Sequence, residues 1–232
     1  MIGKGVTSIG ENIFNDCNKL VSVTINSDVV ANSNVFNNCN SLTSITLGND
    51  ISSIGEKAFS GCNGLTSMII PDNVLSIGDH AFSYCNNLTN VIIGNSVTNI
   101  GNSVFQSCDK LNNVIIPNSV ISIGGSIFSD CKNLSHIDVG ENVTNIGNGA
   151  FVNCDSLTSI IIPDKVISIK DYTFSGCRNL SRIVVGKNVT TIGNSAFVNC
   201  DSLINIILPE SVTSIGYQSF AGCNLVDRKS VV

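Results

Sequence analysis

All ten cysteines of this chain stand on one ruler. They are Cys17, Cys39, Cys62, Cys85, Cys108, Cys131, Cys154, Cys177, Cys200 and Cys223, and after a first interval of 22 residues every interval is 23. A phenylalanine precedes each by three residues: Phe14, Phe36, Phe59, Phe82, Phe105, Phe128, Phe151, Phe174, Phe197 and Phe220. No Phe or Cys lies off this grid. A period of this length identifies stacked coils, each burying its apolar face only against its neighbours. Adding the aliphatic positions gives L-x-x-I-x-I-[PG]-x-x-V-x-x-I-G-x-x-A-F-x-x-C-x-x, nine times after an opening half-unit. Residues 1–223 are read as one solenoid and 224–232 as a C-terminal tail.

Within "LTSIIIP" from Leu157, alternation puts Ile160 and Ile162 on one face and Ser159 and Ile161 on the other, which is the pattern of a strand. Equivalent strands stacked about 4.8 Å apart would form one long parallel sheet. Val166 and Ile169 point back into the coil from an opposite wall of short strands or turns, and Phe174 and Cys177 fill the space between. Strand exits alternate between glycine (Gly48, Gly94, Gly140, Gly186) and proline (Pro71, Pro117, Pro163, Pro209), a finer period of 46. The glycine of the "IG" pair has two readings: a position needing positive φ, in which case Lys170, which replaces it, carries strain that Asn32, its other replacement, largely escapes, or close packing and mere habit of the repeat. The segment Val29 to Phe36 is one residue short.

The L-x-x-I-x-I segment followed by "IGxxAFxxC" closely resembles the BspA-like, or Treponema pallidum-type, leucine-rich repeats of surface proteins of bacteria and some protists. The resemblance covers almost the whole chain. It implies a mainly β, right-handed solenoid of 23-residue units, within the α/β-type repeat class. It further implies a non-enzymatic, protein-binding scaffold that acts as a surface adhesin, with a host or extracellular matrix protein as partner and a cell-surface or secreted location. The alternative is a structural spacer or stalk with no ligand of its own.

Charged residues are 12% of the chain, about half the usual share, and the net charge is -5. That excludes the clustered Lys and Arg of a nucleic-acid binder. No apolar run approaches the ~18 residues of a membrane span. "MIGKGVTSIG" shows no signal peptide. Metal sites want close, converging ligands such as C-x-x-C, whereas cysteines in equivalent positions form a straight row. Free, buried thiols are the favoured reading, with parallel Cβ vectors arguing against disulfides. His80 and His136 occupy different phases of the repeat, no nucleophile motif is present, and neither enzyme nor cofactor is expected. The sequons at Asn87, Asn133, Asn142, Asn179 and Asn188 are either glycosylation acceptors or by-products of the template.

The outward strand columns remain. One reads mostly Ser and Asn but includes His136 and Arg182; the next, Ile69, Ile92, Ile115, Asp138, Ile161, Val184 and Ile207, is mostly aliphatic. Two readings stand side by side: a partner-binding stripe made of these nine residues, or β-propensity and drift on a solvated face. Met1 enters partway through a unit, at the phase of "VTSIG", and "NLVDRKSVV" carries no recognisable polar cap. Flanking units, a folded-over tail or end-to-end self-association are therefore expected.

Overall fold

The computed structural model describes residues 1–28 and 34–226. The shortened segment at Val29 and the replacement at Asn32 lie wholly or partly outside the described residues, as does most of the tail. In chain order the strands are β1 (Ser22–Ile25), β2 (Ser44–Leu47), β3 (Ser53–Ile54), β4 (Ser67–Ile70), β5 (Ser76–Ile77), β6 (Asn90–Ile93), β7 (Asn99–Ile100) and β8 (Asn113–Ile115). They continue with β9 (Ser122–Ile123), β10 (His136–Asp138), β11 (Asn145–Ile146), β12 (Ser159–Ile161), β13 (Ser168–Ile169), β14 (Arg182–Val184), β15 (Thr191–Ile192) and β16 (Ser214–Ile215). All pair in parallel, as the repeat requires, and the described residues contain no α-helix.

Three walls close each coil. The first carries the longer strands, whose alternation is clean: in β4, Met68 and Ile70 are buried while Ser67 and Ile69 face out. The second carries the two-residue strands, with Ile54, Ile77, Ile100, Ile123, Ile146, Ile169 and Ile192 pointing inward. The third is a stack of turns across "GxxAFxxC". The expected long sheet forms, but its ladder is divided into β1–β2, β4–β6–β8–β10 and β12–β14. A ninth long strand was expected at Asn205–Ile207; Ile206 is buried there, yet no ladder joins the segment to β14.

Between the walls the phenylalanines stack. Successive rings from Phe14 to Phe220 lie with centroids 5.1–5.8 Å apart and planes within 15° of parallel. The separation exceeds the ~4.8 Å strand spacing because the rings are offset, the arrangement that π-systems prefer. Backbone hydrogen bonds tie the turns as well: Phe59 N–H donates to Ala81 O at 2.9 Å and Phe82 N–H to Val104 O at 3.0 Å, always towards the next coil. At the corners of the strand walls the direction reverses, with Thr89 N–H donating to Thr66 O (2.9 Å), Leu75 N–H to Ser52 O (2.8 Å) and Gly78 N–H to Ile54 O (2.7 Å).

Of the two readings of the "IG" glycines, the structure decides for close packing. None of Gly55, Gly78, Gly101, Gly124, Gly147, Gly193 and Gly216 has positive φ, and neither does Lys170. Proximity excludes the side chain: a Cβ on Gly78 would lie 2.8 Å from Glu56 N, and one on Gly101 would lie 2.7 Å from Asp79 N, in the coil below. The strand-exit alternation follows the same logic, since a Cβ on Gly140 would lie 2.8 Å from Pro117 C and one on Gly186 2.8 Å from Pro163 C. Positive φ falls instead on the turn wall, at the second "x" of each "xx" pair. Lys57, His80, Tyr84, Ser107, Asp130, Asn153, Tyr172 and Asn199 all adopt it, with φ of 50–62°, and Gly61 and Gly176 occupy the same positions at 72° and 73°.

Two substitutions separate the causes. Gly101→Ala is expected to destabilise the solenoid by about 2–3 kcal/mol, because its Cβ would overlap backbone at Asp79 N and Gly78 C as well as the Asp79 carboxylate, and the backbone cannot turn away. Tyr172→Gly is expected to stabilise it by about 1 kcal/mol, relieving a left-handed conformation costly to any L side chain. Thermal melting of both variants is the check, the second rising by roughly 2–4 °C in a domain of this size.

Candidate functional site

The cysteines, the first candidates by number, do not form a site. All ten are free; Cys39 through Cys200 are buried and only Cys17 and Cys223 are half-exposed. From Cys39 to Cys223 every Sγ–H donates to the phenylalanine carbonyl of the preceding coil: Cys85 to Phe59 O at 3.2 Å, Cys131 to Phe105 O at 3.0 Å, Cys177 to Phe151 O at 3.0 Å. That carbonyl already accepts the N–H of its own coil's cysteine, so the thiol takes up its second lone pair. Burial pushes Cys39 up to about 11 and Cys85 and Cys177 up to about 12, and drives Cys62, Cys108, Cys131 and Cys154 upward as well. A thiol so shifted is neither a nucleophile nor a metal ligand at neutral pH.

His80 lies on the turn wall and His136 on the first wall. No group of three metal-ligating side chains converges among the described residues. Four of the five sequon asparagines already have work: Asn87, Asn142, Asn179 and Asn188 each donate Nδ2–H to a carbonyl of the coil below, at 2.7–2.8 Å. The recurrence of Asn before the inward Leu or Val is thereby explained as a bond between coils.

On the first wall, Ile69, Ile92, Ile115, Ile161, Val184 and Ile207 are 42–78% exposed. Register brings them together in pairs, Ile69 beside Ile92 and Ile161 beside Val184, while Asp138 stands beside Ile115 and interrupts the row. His136 Nε2 lies 3.3 Å from Asp138 Oδ1 along the same strand. Arg182 is in register with Ser159, and no ion pair engages it among the described residues. Two openings punctuate this face. A cavity of about 310 Å³ lies between β6 and β8, walled by Ile92, Ile93, Ile115 and Pro117. These strands pair only at Asn90 and Asn113, and Pro117 lacks the N–H that would extend the ladder. A second cavity, of about 520 Å³, separates Arg182–Val185 from Asn205–Ile207.

Sequence reasoning missed a second exposed apolar row, Leu75, Ile121 and Ile167, at the entry to the short strands. Thr98, Thr144 and Thr190 alternate with it, each donating Oγ1–H to the carbonyl of the aliphatic residue below at 3.2 Å. The signal was the period of 46, present in "VLSI", "VTNI", "VISI".

The model of the BspA type leucine rich repeat region matches residues 1–112 and 98–226, in six copies. Among solved structures, a leucine-rich repeat protein of T. pallidum is 29% identical, covering 80% of this chain and 78% of that one with a TM-score of 0.65. A leucine-rich cell surface protein of Faecalibacterium prausnitzii is 26% identical, covering 96% and 82% with a TM-score of 0.51. The pneumococcal vaccine antigen PcpA shares the fold at 20% identity and a TM-score of 0.63, over 95% of this chain and 66% of that one. Comparison with curated proteins finds no match.

The thiol row has a measurable signature. A group protonated in the folded chain and ionised in the unfolded one adds stability that is complete below its ordinary pKa of 9.0 and is lost as pH rises towards 11–12. Each pH unit above 9 is expected to cost about 1.4 kcal/mol per buried thiol, so unfolding followed by circular dichroism should set in well below pH 12. Thiol titration at neutral pH is expected to find two of the ten groups reactive in the native chain and the other eight only after denaturation.

Proposed function

We propose, from the premise that this chain belongs to the BspA-type leucine-rich repeat family, that it is a protein-binding scaffold whose first wall receives the partner. The observation that carries the reading is the row of six aliphatic side chains exposed along that wall, beside His136, Asp138 and Arg182. β-Propensity accounts for branched residues in strands, but not for the two cavities that open beside them. An apolar anchor entering the β6–β8 cavity gains affinity by leaving water, while the charged groups fix its register. The partner is an extracellular matrix or host-surface protein and the location is the cell surface, the role of an adhesin. Support for that location comes from a relative that is itself a cell surface protein.

The test uses two sets of variants against a panel of matrix proteins. Ile115→Asp with Ile161→Asp is expected to weaken binding at least thirtyfold, about 2 kcal/mol, since a carboxylate would be desolvated in the contact. His136→Ser with Asp138→Ser and Arg182→Ser is expected to weaken it less and to reduce its salt dependence. Unchanged affinity in both sets, with melting curves intact, would move the contact off this wall. Failure of the parent chain to bind any member of the panel would favour the spacer.

A further inference from the structure

The residue after each "IG" glycine, or after Lys170 in its place, forms a row on the corner of the second wall that includes Asp79, Asn102, Gly125, Asn148, Asp171 and Asn194. At Asp79, Asn102, Asp171 and Asn194 the side-chain oxygen accepts the backbone N–H of the equivalent residue one coil on, whereas Asn148 Oδ1 accepts none, so that Asp171 N–H also has no acceptor among the described residues. Asn102 N–H donates to Asp79 Oδ1 at 2.7 Å, Gly125 N–H to Asn102 Oδ1 at 2.8 Å, and Asn194 N–H to Asp171 Oδ1 at 2.7 Å. Gly125 has no side chain, so the row is broken there, and the N–H of Asn148 has no acceptor among the described residues. A Cβ built on Gly125 would lie 3.5 Å from Asn102 Oδ1 and 3.6 Å from Asn148 N, but 3.0 Å from Asn148 O, so a side chain there fits once that carbonyl yields by a few tenths of an ångström.

That break opens into a groove of about 500 Å³, lined by Asn102, Ser122, Gly125, Asn145, Asn148 and Lys170 among others. Lys170 stands where the repeat has glycine. Its Nζ donates to Asn145 Oδ1 at 2.6 Å, Asn145 Nδ2 donates to Ser122 Oγ at 2.9 Å, and no carboxylate pairs with the ammonium among the described residues. An unpaired donor and an uncompensated cation thus share one polar groove.

We infer that this groove binds a carboxylate oxygen presented by an acidic side chain of a protein partner, which takes the position that an Asp or Asn at 125 would have filled. A charge-assisted bond from Asn148 N–H and the field of Lys170 supply the recognition. One cation and one donor match a monoanion, and a chain of net charge -5 is a poor host for a phosphate dianion. Asp79 offers an internal control. Its N–H also lacks an acceptor among the described residues, but the residue beneath it is Glu56, whose carboxylate, 2.9 Å from Lys57 Nζ, would repel an anion. The groove lies on the second wall, so this inference stands apart from the contact proposed for the first.

The experiment is an amide-resolved NMR titration of the whole 15N-labelled chain with sodium acetate, ionic strength held constant with sodium chloride. The Asn148 amide should shift saturably while that of Asp79 does not. The peptide acetyl-Gly-Asp-Gly-amide should reproduce the shift and acetyl-Gly-Asn-Gly-amide should not. Gly125→Asn, which restores the missing oxygen, should abolish the response. Lys170→Gln should weaken binding about threefold or more, and it keeps the question open to measurement should Gly125→Asn fail to fold. An Asn148 amide that ignores acetate, moves as far with chloride, or responds unaltered in Lys170→Gln would overturn the proposal. Tighter binding of inorganic phosphate than of acetate would overturn the assignment to carboxylate.

Discussion

One phenylalanine lying flat against the phenylalanine of the next coil is the contact to which the rest of this molecule is fitted. The rings sit 5.1–5.8 Å apart along the whole described length. That distance brings the thiol of each coil within reach of the carbonyl below, and the "IG" backbones so close together that a Cβ added at Gly78, Gly101 or Gly124 would lie under 3 Å from the backbone of the coil below. Cysteine at its position is small enough to leave the rings in contact and still carries a donor. Alanine would leave the carbonyl's second lone pair without a partner, and serine would bring a more strongly hydrated hydroxyl into an apolar column.

A coil held on three walls has little freedom to vary inward, and the sequence reflects this. Inward positions repeat almost unchanged, which is why the fold class, the strand faces and the row of free thiols could be read before any coordinates. The "IG" glycine was left between positive φ and close packing because its cause lies in the neighbouring coil: a sequence gives each residue's own preference, not the distance to a backbone 23 residues away. The true left-handed positions were harder to see because Lys57, Tyr84 and Tyr172 occupy them alongside Gly, Asn, Asp and Ser. Their stacked neighbours hold the conformation whatever the side chain. The ninth strand does not form beside β14 because the cavity of about 520 Å³ holds Asn205–Ile207 away from Arg182–Val185.

The candidate surfaces divide by how far they depart from the repeat. His136, Asp138 and Arg182 were legible as interruptions of a regular column, and the exposed aliphatic row as a breach of alternation. The openings between strands were not, since they arise from where a ladder stops. The groove at Gly125 was overlooked for a related reason. The repeat leaves that position an unspecified "x", and the oxygen that Gly125 omits belongs to a bond with the following coil, as Asp79 Oδ1 shows with Asn102 N–H. In a repeat protein, individuality sits at such omissions.

The opposed directions of the inter-coil hydrogen bonds set how long such a rod can grow. Turn-wall donors such as Phe59 N–H point towards the C-terminal neighbour, and corner donors such as Leu75 N–H point towards the N-terminal one. Peptide dipoles on opposite sides of the coil therefore offset one another, while the strand ladders between them alternate. An α-helix adds its dipoles head to tail and accumulates partial charge at its ends; in this solenoid the opposed peptide dipoles offset one another, so added coils do not build up a helix-like dipole along the axis. Extension by duplicated pairs of units is then limited by the covering of the two end faces and not by charge building up along the axis.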